Sequence, residues 1–186
     1  DNFYPKKKKS KIVKIKTKRT ICDIGRDIQN REIPNDVFIT PLPLAKIQID
    51  LIKSRPLDIW MDPFKNDGSY YNQYPKTIIK HVWTEILYGR DFFTYKGHID
   101  IICSNPPFSI LNKCLRKFIE LSPRVISILV GCMNITPARL ERMEKAGYVI
   151  TQYKILSWSP IFGMGVIIQW EKKGECEDIG TFIGRW

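Results

Sequence analysis

The stretch Cys103-Ser104-Asn105-Pro106-Pro107-Phe108-Ser109 sets an asparagine between a short apolar run and two prolines. Proline lacks a backbone N–H and fixes φ, so neither a strand nor a helix continues through it. The run 99–103 therefore stops here, with the Asn105 amide in a stiff frame, able to donate and to accept hydrogen bonds. Three acids hold comparable places earlier in the chain. Asp62 closes an apolar run and leads into Pro63, Phe64 and the loop Lys65-Asn66-Asp67-Gly68; Glu85 closes a second run; Asp91 precedes Phe92. An acid at the end of a second strand, about 20 residues past a glycine-containing turn, is placed to accept ribose hydroxyls. An aspartate followed by an aromatic ring can bond an adenine amino group while the ring packs on the base. Neither G-x-G-x-x-G nor G-x-x-x-x-G-K occurs, so the expected ligand is a nucleoside without phosphates.

Such residues must be brought to one edge by a scaffold, and the hydrophobic pattern supplies one. Residues 42–53 carry Leu44, Ile47, Leu51 and Ile52 at helical spacing, with Pro41 or Pro43 suited to the first turn. Residues 57–61 read as a strand ending at Asp62-Pro63, and residues 77–86 as a second. Phe92 and Phe93 mark a short third strand, and residues 99–103 a fourth. A helix over 111–121 puts Leu111, Leu115, Phe118 and Ile119 on one face. Residues 125–130 form a β-branched strand, 137–146 a charged helix stopping at Gly147, and 148–156 with 165–170 a closing antiparallel pair. The charged helix reads as a solvated face, and residues 158–165 as a hairpin loop, either a plain turn or one lying near a bound base. Strands interleaved with helices imply an α/β doubly wound sheet, whose ligands bind beyond the carboxyl ends of the strands.

The ordered set D-P-F-x-x-x-G, a second-strand acid, D-F-F and S-N-P-P-F resembles the S-adenosylmethionine-dependent N6-adenine methyltransferases, over residues from about Asp36 to Trp170. Within that family the segments DPFKNDGSYYNQYP, WTEI, GRDFF and SNPPFS look most like the small enzymes of large DNA viruses and phages. The resemblance implies a Rossmann-like class I methyltransferase fold, a mostly parallel sheet with a closing antiparallel strand. It implies that Asp62, Phe64 and Gly68 form the cofactor loop near the methionine, that Glu85 holds the ribose, and that Asp91 and Phe92 bind the cofactor's adenine. Thr40 and Pro41, ahead of a helix, resemble the family's methionine-contacting T-P pair. Asn105 and the carbonyl of Pro106, followed by Pro107, would accept hydrogen bonds from the target amino group, and Phe108 would stack on the target base. The usual Gly-x-Gly of the loop is here Asn66-Asp67-Gly68; asparagine tolerates the left-handed conformation that such a turn needs. The segment leading to the second strand is short and holds Pro75, so the helix usual there is abbreviated.

Taken singly, Asp62 is a turn former, Glu85 and Asp91 are surface acids, and Phe92 and Phe108 are core; it is their joint order that carries the likeness. The alternatives within the same chemistry are RNA adenine methylation and methylation of a protein glutamine. The alternative of another kind is a non-catalytic methyltransferase-fold partner subunit.

Charge narrows the substrate. Of the net charge of +11, nine units lie in residues 6–19, which hold Lys6, Lys7, Lys8, Lys9 and Lys11. Such a run most simply meets the phosphates of a polyanion, here DNA or RNA; a nuclear-localisation signal or a solubilising tail are the plainer readings. The expected organisation is a basic N-terminal extension over 1–35, a catalytic domain over 36–174 and a C-terminal tail over 175–186. With 78 residues after Phe108, no separate target-recognition domain is expected, so specificity is short or comes from a homodimer or partner subunit. The five scattered cysteines include no C-x-x-C pair; reduced thiols and no metal site are expected. No apolar stretch approaches the ~20 residues of a membrane helix, and the basic N-terminus lacks the apolar run of a secretory signal. The expected location is intracellular, in host cytoplasm or nucleus for a viral protein.

Overall fold

A computed structural model describes residues 39–76, 80–156 and 164–176. Helix α1 spans Leu42–Asp50, with Pro41 at its N-cap and Pro43 in its first turn, where a missing N–H costs nothing. Then follow strand β1 (Ile59–Asp62), strand β2 (Lys80–Trp83), strand β3 (Ile101–Ser104), helix α2 (Leu111–Leu121), strand β4 (Val125–Gly131), helix α3 (Pro137–Lys145), strand β5 (Tyr148–Leu156) and strand β6 (Gly165–Lys172). The six strands make one sheet in the order β2-β1-β3-β4-β6-β5. The first four of that order pair in parallel, and β6 runs antiparallel to both of its neighbours. This is the mostly parallel α/β sheet with a closing antiparallel strand that the sequence implied.

The strands at the centre are apolar without alternation because both faces are covered. Every residue of β3 and of β4 is buried. On one face Trp60, Ile101, Cys103 and Val125 pack with Ala45 and Ile49 of α1 and with Tyr70 and Tyr74. On the other, Met61, Ile102, Ile126 and Ile128 pack with Leu111, Cys114, Leu115 and Phe118 of α2. The i, i+3, i+4, i+7 spacing of those four α2 residues makes one stripe, and each of the larger side chains contributes about 2 kcal/mol by leaving water.

Two expectations need correction. Phe92 and Phe93 form no strand: Phe92–Thr94 is a 3-10 turn, because the Asp91 carboxylate accepts the Phe93 N–H (2.9 Å) and curls the chain. The inner face of α1 is also rotated from the expected one. Ile47 is exposed and Gln48 is fully buried. Gln48 donates to Ser127 Oγ (3.2 Å) and the Ser104 carbonyl (3.4 Å), and accepts the Tyr70 hydroxyl (2.7 Å). A glutamine whose hydrogen bonds are met inside the protein can take a core position that periodicity assigns to an aliphatic residue.

At the amino ends of the strands Asp58 and Arg124 form a buried ion pair (2.6 Å), and Arg124 also donates to the Lys53 carbonyl. The Lys6–Lys11 run and most of residues 158–165 lie outside the described residues.

Candidate active site

A cavity of about 310 Å³ opens beyond the carboxyl ends of β1, β2 and β3, the edge at which open α/β sheets bind ligands. Of the residues singled out above, Thr40, Phe64, Glu85, Asp91, Phe92, Asn105 and Pro107 line it. Pro41, Asp62, Gly68, Pro106 and Phe108 do not. Pro41 caps α1, Asp62 and Pro106 are buried, and Phe108 packs half-buried against the core. The segment 108–110 is a 3-10 turn that leads straight into α2, and this turn carries the Phe108 ring toward the interior.

Asn105 is positioned from two sides. The end of β3 and Pro106 fix its backbone, and its Nδ2 donates to Thr40 Oγ1 (3.2 Å), just ahead of α1. The amide oxygen Oδ1 is buried and meets no hydrogen-bond partner among the described residues. An unmet buried acceptor costs about 1–3 kcal/mol, and this one belongs to a residue of the cavity wall.

Beneath the wall, Asp62 closes β1 and is fully buried. Ser104 Oγ donates to its Oδ1 (2.8 Å), and the Phe64 N–H approaches the same atom (3.3 Å). Oδ2 has no partner among the described residues. Burial pushes the Asp62 carboxyl up to about 7; the Ser104 hydroxyl and the backbone N–H groups of Phe64 and Tyr71 oppose the rise, and the Glu85 charge adds to it.

The loop after β1 is pinned to the segment after β2. Lys65 N–H donates to the Thr84 carbonyl (3.1 Å), Thr84 Oγ1 donates to the Pro63 carbonyl (2.7 Å), and Asn66 N–H donates to Glu85 Oε2 (2.9 Å). Asn66 takes φ 47° and Gly68 φ 90°, so the asparagine does adopt the left-handed conformation. The other Glu85 oxygen accepts the Leu87 N–H (3.3 Å) and starts the 3-10 turn Ile86–Tyr88. Phe64 and Phe92 meet edge-on, with centroids 5.4 Å apart, and form an apolar wall.

The cavity also takes in Tyr70, Phe93, Ile86 and Leu87, none of them assigned to the site from the sequence. Ile86 and Leu87 are 71% and 78% exposed. Their signal was an apolar pair directly after Glu85, which the strand drawn through residue 86 absorbed. Lys65 also lines the cavity, and its ammonium lies 4.7 Å from the Trp83 ring centre. Arg90 stacks on that same ring at 3.8 Å.

No protein-family model matches the chain, and no curated protein matches its sequence. Solved structures match its shape. Magnesium protoporphyrin IX methyltransferase from Synechocystis PCC 6803, solved with SAM bound, aligns at TM-score 0.56 and 11% identity, covering 84% of this chain and 87% of that one. Precorrin-6y C5,15-methyltransferase from Geobacter metallireducens aligns at TM-score 0.54 and 13% identity, over 73% of this chain and 90% of that one. The fold is that of a class I methyltransferase. A modification subunit of a putative type I restriction enzyme from Vibrio vulnificus YJ016 aligns at TM-score 0.53 and 14% identity, over 80% of this chain and 46% of that one. Within this methyltransferase fold, no helix among the described residues is long and apolar enough to cross a membrane.

Proposed function

We propose that the chain binds S-adenosylmethionine in the cavity and methylates the exocyclic N6 amino group of adenine in DNA. Asn105 carries the reading: its buried Oδ1 lacks a hydrogen-bond partner among the described residues and its Nδ2 is held by Thr40. A cavity of about 310 Å³ is within the range of small-molecule sites, roughly 300–1,000 Å³. The donor set fits a nucleoside: carboxylates from Glu85 and Asp91, and a ring wall from Phe64 and Phe92.

When bound, S-adenosylmethionine supplies an electrophilic methyl group. The protein's part is to prepare and place the amine. Conjugation into the purine ring makes an exocyclic amine a poor nucleophile. Asn105 Oδ1 and the Pro106 carbonyl accept its two hydrogens, favour a more tetrahedral nitrogen, and fix its approach without a strong base. Transfer would form the C–N bond as the methyl's bond to the sulfonium sulfur breaks, with that electron pair left on sulfur, and the surplus proton would pass from the nitrogen to water. In a duplex the adenine first leaves the stack; the family resemblance assigns Phe108 to hold it, and as its ring packs against the core, that role would require the ring to turn outward. Glu85 takes the ribose, Asp91 and Phe92 the cofactor's adenine, and Asp62, Phe64, Gly68, Thr40 and Pro41 the methionine end.

In this reading residues 1–35 are an extension whose Lys6, Lys7, Lys8, Lys9 and Lys11 hold the phosphate backbone. Residues 36–174 are catalytic and 175–186 a tail, specificity is short or comes from a dimer or partner subunit, and the setting is intracellular. The resemblance to small enzymes of large DNA viruses and phages belongs to the same reading.

One contact favours a second reading, a non-catalytic subunit of methyltransferase fold. Asn66 N–H is bonded to Glu85 Oε2, so a loop amide and the ribose acid already engage each other. Incubation with labelled S-adenosylmethionine and, separately, DNA, RNA and protein, followed by mass spectrometry of the digests, tests both. N6-methyladenine in DNA, lost in Asn105→Ala while calorimetric cofactor binding persists, is the expected result. Label in RNA or in glutamine changes the substrate and keeps the chemistry. Absence of both label and cofactor binding leaves the second reading.

A further inference from the structure

The helix α3 contains two arginines that have no acid to answer them. Arg139 and Arg142 are three residues apart, which makes them neighbours on one face, and neither has Asp or Glu three or four residues away. Their tertiary partner is neutral. Arg139 Nε (3.0 Å) and Arg142 Nη1 (3.3 Å) both donate to a single oxygen, Asn112 Oδ1, in the first turn of α2. Arg139 has a structural task as well, since its Nη1 donates to the Asn134 carbonyl (2.6 Å) and closes the turn after β4. The Arg142 guanidinium makes no other hydrogen bond and no ion pair among the described residues. The acids of this helix lie elsewhere: Glu141 pairs with Lys145 (3.7 Å).

Two guanidiniums drawn to one amide oxygen repel each other, and an amide dipole does not neutralise them. A carboxylate at position 112 would do so; the sequence has asparagine. Each guanidinium carries five N–H groups in a planar fork, and most of Arg142's remain unspent. The cluster adjoins the cavity. Asn112 follows Ser109 and Ile110 of the cavity wall, and Lys113 Nζ lies 3.8 Å from the ring centre of Phe93, another wall residue.

We propose that Arg139 and Arg142, flanked by Lys113, clamp a phosphate of the nucleic-acid strand whose base enters the cavity. A phosphodiester has the charge and the paired oxygens that two guanidinium forks bind. The inference rests on the nucleic-acid reading above, and it turns the charged helix from a solvated face into a strand-docking surface. It also sets a division of labour: a mobile polyanion is drawn by long-range charge, whereas this clamp fixes the register between backbone and cavity.

The test is fluorescence anisotropy of the full chain with short fluorescein-labelled single strands of DNA and of RNA, across a salt series. Arg142→Gln is expected to weaken binding about tenfold and to lower the salt slope by about 1, the effect of losing one phosphate contact. Asn112→Asp supplies the missing carboxylate. It is expected to weaken binding similarly while leaving the thermal transition unchanged or raised, an outcome that a purely structural role does not produce. Lys145→Gln, which removes a charge already paired to Glu141, is expected to bind as wild type. Wild-type binding and slope in both Arg142→Gln and Asn112→Asp overturn the clamp but leave the nucleic-acid reading standing. If the wild-type chain binds neither strand, the clamp and that reading both fall.

Discussion

Ser104 donates its hydroxyl to Asp62 Oδ1 across 2.8 Å, so the last residue of β3 ties down the last residue of β1. The bond crosses between the two strand ends that deliver Asn105 and the loop 63–69. It satisfies one Asp62 oxygen and leaves the other without a partner among the described residues.

Asp62 makes stability depend on pH. Its carboxyl is raised from 3.8 to about 7, chiefly by burial. The folded state therefore keeps a proton that the unfolded chain releases, and stability falls as pH rises from about 4 to about 7, then levels off. In Asp62→Asn that fall shrinks by on the order of 2–4 kcal/mol. Urea unfolding of both proteins across this window measures it; parallel curves would mean that Asp62 does not titrate late.

Thr40 acts by orienting Asn105. Removing its hydroxyl in Thr40→Val frees the amide to rotate and is expected to lower kcat about tenfold, or ~1.4 kcal/mol. Thr40→Ser, which keeps the oxygen, is expected to restore it. Single-turnover methylation of DNA by the two variants decides whether the hydroxyl or merely the bulk matters.

The loop after β1 depends on two left-handed residues. A Cβ at Gly68 would meet Asn72 Nδ2 at 2.6 Å and would sit on a backbone at φ 90°. Gly68→Ala is expected to cost about 1–2 kcal/mol and to weaken S-adenosylmethionine binding in calorimetry. Asn66→Gly, at φ 47°, is expected to be tolerated within about 0.5 kcal/mol. Equal affinities for wild type and Gly68→Ala would remove this loop from the cofactor site.

Arg124 separates stability from function. Its partner Asp58 is 4% exposed, and Arg124→Met leaves that carboxylate buried without its charge partner. The expected loss is about 3–5 kcal/mol, read as a lower urea midpoint. Because the pair lies at the amino ends of the strands, cofactor affinity at low temperature is expected to stay at wild type.

Elements with one strong period were legible in the sequence. Helix α2 and strand β5 begin and end where the hydrophobic spacing and Gly147 put them. The meeting of Asn105, Glu85, Asp91 and Phe64 at one cavity was legible in part: Asn105, Glu85 and Phe64 follow strand ends, whereas Asp91 reaches the cavity from a 3-10 turn. What escaped depended on partners distant in sequence or on competing local bonds. Glu85 caps a turn and shortens the strand drawn through it, and Asp91 caps the turn that replaces the expected third strand. Gln48 is buried because Ser127, 79 residues away, meets its amide. The Arg139–Arg142 face looked solvated until α2 brought Asn112 beside it.

The buried Gln48 has a mechanical consequence. Two greased surfaces can slip past each other at little cost, whereas a toothed contact engages at one setting. Gln48 is such a tooth: a small travel of α1 along the sheet would strip its bonds to Ser104 and Ser127 together. Thr40 rides at the front of that helix, so the spacing between its hydroxyl and Asn105 is gauged two turns away, under the sheet's cover, where solvent and substrate do not reach.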